Sequence, residues 1–249
     1  MRLGLIADIH ANHAALAAIL DALRRHDVDE LVCLGDIVGY NAEPDACVAL
    51  LRGATDRVIL GNHDVAVLRG EVAGGTNAIA RAAVAWTRAN ISPESLAYLA
   101  GLPHELVVDD RYVAGHGSFV GDERHSGYVT GATLRANLDA VAAAPHWPKL
   151  ALCGHTHMPV CGWLEGQIVH SSPLLRTVRW PAGARVVLIN PGSVGQPRDG
   201  DTRAAAAIVD LERREVTPVR CDYDVERTIA AIHRAGLPEA LADRLRLGW

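Results

Sequence analysis

The chain has 249 residues, 49% hydrophobic and 21% charged, with a formal charge of −5 and a pI near 6.2. This length and balance fit a folded domain with a sizeable core rather than a disordered chain, and the acidic charge argues against a binder of long nucleic acid, which needs a basic face. Lys149 is the only lysine and follows no glycine-rich run, which excludes a P-loop.

Apolar runs of strand length alternate with helical patterns from the N-terminus onward. Residues 2–7 predict a buried strand, and residues 12–25 a helix capped by Asn12. A strand at 30–34, a helix near 44–52 and a strand at 57–60 follow. Next come helices near 76–89 and 93–100, strands near 105–108 and 111–114, a helix near 131–144 and a strand at 149–153. From 160 to 221 short strands alternate with glycine and proline turns, and 224–247 reads as two helices broken at Gly236–Pro238. Early β/α alternation followed by strands predicts an α/β core with helices outside. No repeat, linker or low-complexity tract divides the 249 residues, so a single domain is expected. Five cysteines without a C-x-x-C pair read as reduced, mostly buried thiols. With no secretory signal and no apolar run of membrane length, the expected location is the cytoplasm.

The residues that can carry chemistry cluster where the predicted strands end. The first strand runs into Asp8-Ile9-His10, the second into Gly35-Asp36, and the third into Gly61-Asn62-His63-Asp64. Later strands reach Gly115-His116-Gly117 and Gly154-His155-Thr156-His157. Period-two geometry would put Asp8 and His10 on one side of an extended segment, and likewise His155 and His157. Ligands of open α/β sheets gather beyond the carboxyl ends of strands, so one shared pocket is expected. Each block alone has a plainer reading. Asp8 could cap the following helix, Gly35-Asp36 could be a turn, and Asp64 could be a turn-stabilising carboxylate. Cys153, two residues before His155, could be a ligand but reads as a core thiol, because it ends an apolar run and the histidines suffice. Together, the blocks favour a metal site.

In order and spacing, the set DIH, GDIVG, GNHD, GHG and GHTH over residues 8–157 resembles the calcineurin-like metallophosphoesterase superfamily. The likeness is nearest to its small bacterial and archaeal phosphodiesterases, and the later NPGSVGQPRDGD segment agrees. The resemblance implies a four-layer α/β/β/α sandwich, two sheets flanked by helices. It implies one ion held by Asp8, His10, Asp36 and His157, and a second held by Asp36, Asn62, His116 and His155. The cofactors would be two divalent transition-metal ions, since ligands without thiolate suit manganese, iron, nickel or zinc. The implied chemistry is in-line attack on phosphorus by a metal-bridging hydroxide, with His63 donating a proton and Asp64 orienting and charging His63.

Asn62, Arg198 and Tyr40 are candidate substrate contacts, with Asn41, Asn190, Ser193 and His125 as further residues that could reach the pocket. The remaining histidines, and Trp163 and Trp180, read as ordinary surface or core residues. The partner expected is a small phosphate ester, with no long nucleic acid and no membrane, and a homodimer by resemblance. A diester is favoured, because GDIVGY lacks the arginine that phosphatase relatives carry after GD. A nucleotide or phosphoprotein phosphatase, and a non-catalytic scaffold of the same fold, are the alternatives.

Overall fold

A computed structural model describes residues 1–71, 77–121 and 125–249. The chain begins β1 (Arg2–Ile6), α1 (His13–Arg24), β2 (Glu30–Cys33), α2 (Pro44–Arg52), β3 (Arg57–Val58) and α3 (Asn62–Arg69). It continues with α4 (Ala78–Asn90), α5 (Pro93–Ala100), β4 (Glu105–Val108), β5 (Tyr112–Gly115), α6 (Leu134–Ala143) and β6 (Leu150–Leu152). Six strands follow: β7 (Val160–Glu165), β8 (Ile168–Pro173), β9 (Val178–Arg179), β10 (Ala184–Asn190), β11 (Ala204–Asp210) and β12 (Glu215–Cys221). The chain closes with α7 (Val225–Arg234) and α8 (Glu239–Leu247).

Two six-stranded sheets result, ordered β3-β2-β1-β11-β12-β9 and β4-β5-β6-β10-β7-β8. Their central strands are buried on both faces, which is why the sequence shows continuous apolar runs there instead of alternation. In β1, Leu3 and Leu5 join Leu150, Leu152, Val187 and Ile189 between the sheets. Ile6 faces the other way, into the layer with Leu16 and Ile19 of α1 and Leu51 of α2. On the far sheet, Ala151, Val186 and Leu188 pack under Leu134, Leu138 and Val141 of α6. This is the four-layer α/β/β/α sandwich that the motifs implied. The C-terminal pair α7–α8 packs with Tyr40 and α4 through Ile229, Ile232, Leu241 and Leu245. Among the described residues, no helix is long and apolar enough to cross a membrane.

Parallel pairing sets the position of the site. β1, β2 and β3 run parallel in one sheet, and β5, β6 and β10 run parallel in the other. Six carboxyl ends therefore gather at the two sheets' margins, where Val194 and Gly195 donate to the carbonyls of Ala7 and Asp8 and tie the sheets together.

Two local expectations differ from the structure. The third strand ends at Val58 rather than residue 60, because Leu60 N–H bonds to the Pro103 carbonyl instead of a strand partner. The unpredicted helix α3 starts at Asn62, so GNHD forms a helical first turn rather than a loop. The start predicted at residue 76 for the next helix lies outside the described residues.

Candidate metal centre

Asp8, His10, Asp36, His116 and His157 are each at most 2% exposed, and His155 is 7% exposed. Such burial of polar groups needs partners, and the cluster supplies them from its own members. The Asp36 Oδ2 lies 3.7 Å from His10 Nε2 and 3.3 Å from His116 Nε2. His10 Nε2 is 3.1 Å from His157 Nε2, and His157 Nε2 is 3.5 Å from Asp8 Oδ1. On the other side, His116 Nε2 is 3.1 Å from Asn62 Oδ1. One carboxylate oxygen thus stands between two nests of ligand atoms, as the shared position requires. All seven expected ligands come together.

They do so by a different backbone from the one expected. The segments Asp8–His10 and His155–His157 are not extended: Asp8, His10, Asp36, His155 and His157 all have φ between 50° and 68°. Left-handed backbone is uncommon outside glycine, although Asp and His tolerate it better than most, and it costs of order 1–3 kcal/mol per residue. The turns are held by hydrogen bonds between segments. Asp8, His10 and Ala11 donate to the carbonyls of Gly35, Asp36 and Ile37, and His155 N–H donates to both Asp8 carboxylate oxygens. At Gly61 a side chain would overlap the Asp36 carboxylate, so this position admits only glycine.

The outer contacts of the histidines set their tautomers. Nδ1 of His116 lies 2.7 Å from the Leu34 carbonyl, that of His157 2.5 Å from Gln196 O, and that of His10 3.4 Å from Val38 O. A carbonyl can only accept, so Nδ1 carries a hydrogen in all three and Nε2 is the nitrogen left to serve a metal, once His116 has given up its second proton. The ring of His155 instead stacks on Tyr128 at 4.2 Å.

By their own charges alone, these groups are in conflict. Burial lifts Asp8 to about 7, against the pull of His116 and with the push of Asp36. Burial also opposes ionisation of Asp36, but His116, His63 and His10 hold its carboxyl well below the usual range. His116 loses by burial yet is lifted to about 10 by Asp36 and Asp8. Burial drives His10 and His157 well below the ordinary imidazole value, and His155 down to about 3. Two buried carboxylates among the imidazoles of His10, His155 and His157, which burial keeps neutral, with a protonated His116 standing where a cation's charge would replace its own, can hold a cation by their chemistry. Asp8, His10 and His157 offer ligand atoms all within 4.8 Å of one another, as do Asp36, His116 and His155. The thiol of Cys153 packs in the layer under α6, away from this set.

His63 stands at the edge of the cluster, with a ligand atom within 4.8 Å of those of His10 and Asp36. Its ring meets His10 at 4.9 Å and Tyr40 at 4.3 Å, and burial lowers its pKa. The expectation that Asp64 orients and charges His63 is corrected. Asp64 Oδ1 accepts from the amides of Ile37 and Val38, and Oδ2 from Gly61. Three backbone bonds occupy that carboxylate, which ties the GDIVG turn to the start of α3. His63 Nδ1 is buried without a hydrogen-bond partner among the described residues. The tautomer with hydrogen on Nε2 leaves no buried N–H unsatisfied there.

The other candidates sort by what they touch. Tyr40 lies against both His10 and His63, and Arg198 reaches its hydroxyl at 3.5 Å. Asn41 and Ser193 bond to the carbonyls of His10 and Asp8, and Asn190 to that of Gly154, so all three brace ligand loops. His125 is corrected: it pairs with Glu105 at 3.1 Å and packs beside Phe119. Trp180 sits in the inter-sheet core, and Trp163 stacks on His170. Gln196, Tyr128 and Arg244 were not anticipated. They lie in turns or on the last helix, where no local pattern points to a site.

Known proteins share this sequence pattern and fold. The family model for the calcineurin-like phosphoesterase superfamily domain matches residues 1–214. An uncharacterized protein of Methanocaldococcus jannaschii, MJ0912, is 33% identical over 247 residues, covering 99% of this chain and 98% of that protein. A crystal structure of a metallophosphoesterase from Sphaerobacter thermophilus superposes with a TM-score of 0.81 at 34% identity, covering 100% of this chain and 99% of that one. The hypothetical protein PH1004 from Pyrococcus horikoshii OT3 shares the fold, with a TM-score of 0.79 at 20% identity over 100% of this chain and 98% of its own. A domain match over residues 1–214 and two relatives above 30% identity across nearly the whole chain show that this protein belongs to the calcineurin-like phosphoesterase superfamily.

Proposed function

We propose that this chain is a phosphoric ester hydrolase that works with two divalent metal ions, and that phosphodiesters are its better substrates. The observation that carries the reading is Asp36 Oδ2, set between His10 and His116 with further ligand atoms on both sides. Asp8, His10, Asp36 and His157 would hold one ion, and Asp36, Asn62, His116 and His155 the other. When bound, such ions supply positive charge for phosphate oxygens and make a coordinated water more acidic.

The chain's own residues do the rest. The Nδ1 contacts to Leu34, Val38 and Gln196 keep three imidazoles in the tautomer that can serve as ligands. Asp64 holds the GDIVG turn against α3, which keeps Asp36 and Asn62 in register. His63, with its hydrogen on Nε2, would donate to the oxygen of the departing group. Burial keeps it neutral near pH 7, so it acts as a hydrogen-bond donor first and an acid only as charge builds on that oxygen.

Preference for a diester follows from charge. A monoester carries close to two negative charges, and its terminal oxygens call for a guanidinium fork. No arginine follows GDIVG, and the hydrogen bonds of Arg198 go to Tyr40 and Gln196 rather than to a cluster ligand. A second reading, phosphomonoester hydrolysis, is supported by how close Arg198 comes, since its charge is felt at Asp8, His10 and His157. Manganese-loaded protein should cleave bis(4-nitrophenyl) phosphate with higher kcat/KM than 4-nitrophenyl phosphate. A clear win for the monoester, lost on Arg198→Ala, would establish the second reading instead.

A further inference from the structure

Beyond the ring of Tyr40 lies a group of residues with unbalanced charge. Arg198 comes from the turn after β10, and Arg244 from α8. The Arg198 guanidinium is 3.5 Å from the Tyr40 hydroxyl and 3.3 Å from Gln196 Oε1. Arg244 reaches the same Gln196 oxygen at 3.5 Å and lies 5.7 Å from the centre of the Tyr40 ring. Both guanidinium groups are half-buried. Among the described residues neither forms an ion pair, whereas their neighbours do: Arg203 pairs with Asp201, Arg220 with Asp199, and Arg246 with Glu239 and Asp243. Two cations therefore share one neutral amide oxygen, an arrangement that repels itself unless an anion joins it. A second observation points the same way. Gln196 is fully buried, and among the described residues its Nε2 has no hydrogen-bond partner. With its oxygen already taken by two guanidinium groups, this side chain still has two N–H donors to offer.

We propose that Arg198, Arg244 and Gln196 form a clamp for a terminal phosphate monoester group carried by the substrate, separate from the phosphate that is hydrolysed. The substrate class is then a phosphodiester that bears a second, terminal phosphate. The placement rests on Tyr40. The phenol ring meets His10 and His63, and its hydroxyl end meets Arg198, so the clamp lies about one aromatic ring beyond the cluster. Two guanidinium groups match a dianion in charge, and their forks match its oxygens in shape. A carboxylate would leave one of the two cations unbalanced. The proposal rests on the phosphoester-hydrolase reading for its substrate class, but the clamp can be tested without turnover.

The first arm is calorimetric titration of the metal-free, full-length protein with inorganic phosphate. Arg198→Ala and Arg244→Ala should each weaken binding by roughly 10–100-fold, the scale of a lost hydrogen bond to a charged group. Arg246→Ala, on the same helix but engaged with Glu239 and Asp243, should match wild type and shows that α8 is intact. Wild-type protein that binds no phosphate, or arginine variants that bind it as wild type does, would overturn the clamp.

The second arm compares a thymidine dinucleotide with and without a 5′-terminal phosphate on manganese-loaded protein. The terminal phosphate should raise kcat/KM at least about tenfold, mainly through KM, and Arg244→Ala should collapse that ratio towards one. If the arginine variants instead lose turnover of bis(4-nitrophenyl) phosphate by the same factor, the clamp acts at the reacting phosphate and the proposal fails. If loaded wild-type protein hydrolyses none of these esters, the hydrolase reading fails, while the titration still decides the clamp.

Discussion

Replacing Asp36 with asparagine separates the two roles that the structure gives this residue. Oδ1 accepts the His63 N–H at 2.8 Å, and an amide oxygen can take its place. Oδ2, between His10 and His116, would become an NH₂ group with no lone pair for a metal and no charge for a protonated His116. At 3.3 Å, and with an effective permittivity of about 20, the Asp36–His116 attraction is worth ~5 kcal/mol. Breaking a buried pair commonly destabilises by about 3–5 kcal/mol, and His116 can limit the loss by releasing its proton. The pH dependence has a definite sign. His116 rises from an ordinary 6.5 to about 10, so its stabilisation is complete below 6.5 and is lost as pH rises through 10. In metal-stripped protein, urea unfolding should therefore show Asp36→Asn clearly less stable than wild type at a pH of about 6. By a pH near 10.5 most of that gap should be gone. Elemental analysis after manganese loading should find both ions weakened together. A variant that holds two ions as tightly as wild type, or a stability gap that does not change with pH, would refute the bridging assignment.

The other predictions concern its neighbours. His63→Gln should retain metal while losing roughly 10²–10⁴-fold in turnover on poor leaving groups, and less on nitrophenyl esters; wild-type turnover on a poor leaving group would remove His63 from the chemistry. Asp64→Asn turns one of two acceptor oxygens into an NH₂ group and so loses at least one of the three bonds from backbone amides, which should lower stability by about 1–3 kcal/mol, read as a drop in thermal midpoint. Its kcat should fall less than that of His63→Gln, and an equal or larger fall would restore a direct catalytic role for Asp64. Manganese uptake should release protons and weaken as pH falls from 7.5 to 5.5, because Asp8, held at about 7 by burial, must ionise to bind; calorimetry in buffers of different ionisation heat measures this directly, and uptake independent of pH would contradict it.

The sequence by itself determined the candidate ligands, their order and the strand ends that carry them. Aspartate and histidine after an apolar run can be read locally, because burial on both faces makes a strand continuously apolar and the ligand types follow from metal chemistry. The helix beginning at Asn62 was missed, because its N-terminus is capped from a distance, by Asp36 on the His63 amide, rather than by a residue just before it. The left-handed turns at Asp8 and His155 were also hidden. They are imposed by hydrogen bonds between segments, such as the one from His155 N–H to Asp8, 147 residues away. Asp64 could be read as a partner of His63 only until folding brought the amides of Ile37 and Val38, 27 and 26 residues earlier, onto its carboxylate. Arg244 left no local signal, since an arginine on an amphipathic helix is ordinarily a solvated side chain. Only the packing of α8 against Tyr40 brings it to Gln196. Residue chemistry is carried by the local sequence, but which groups meet is decided by strand pairing and layer packing over long separations.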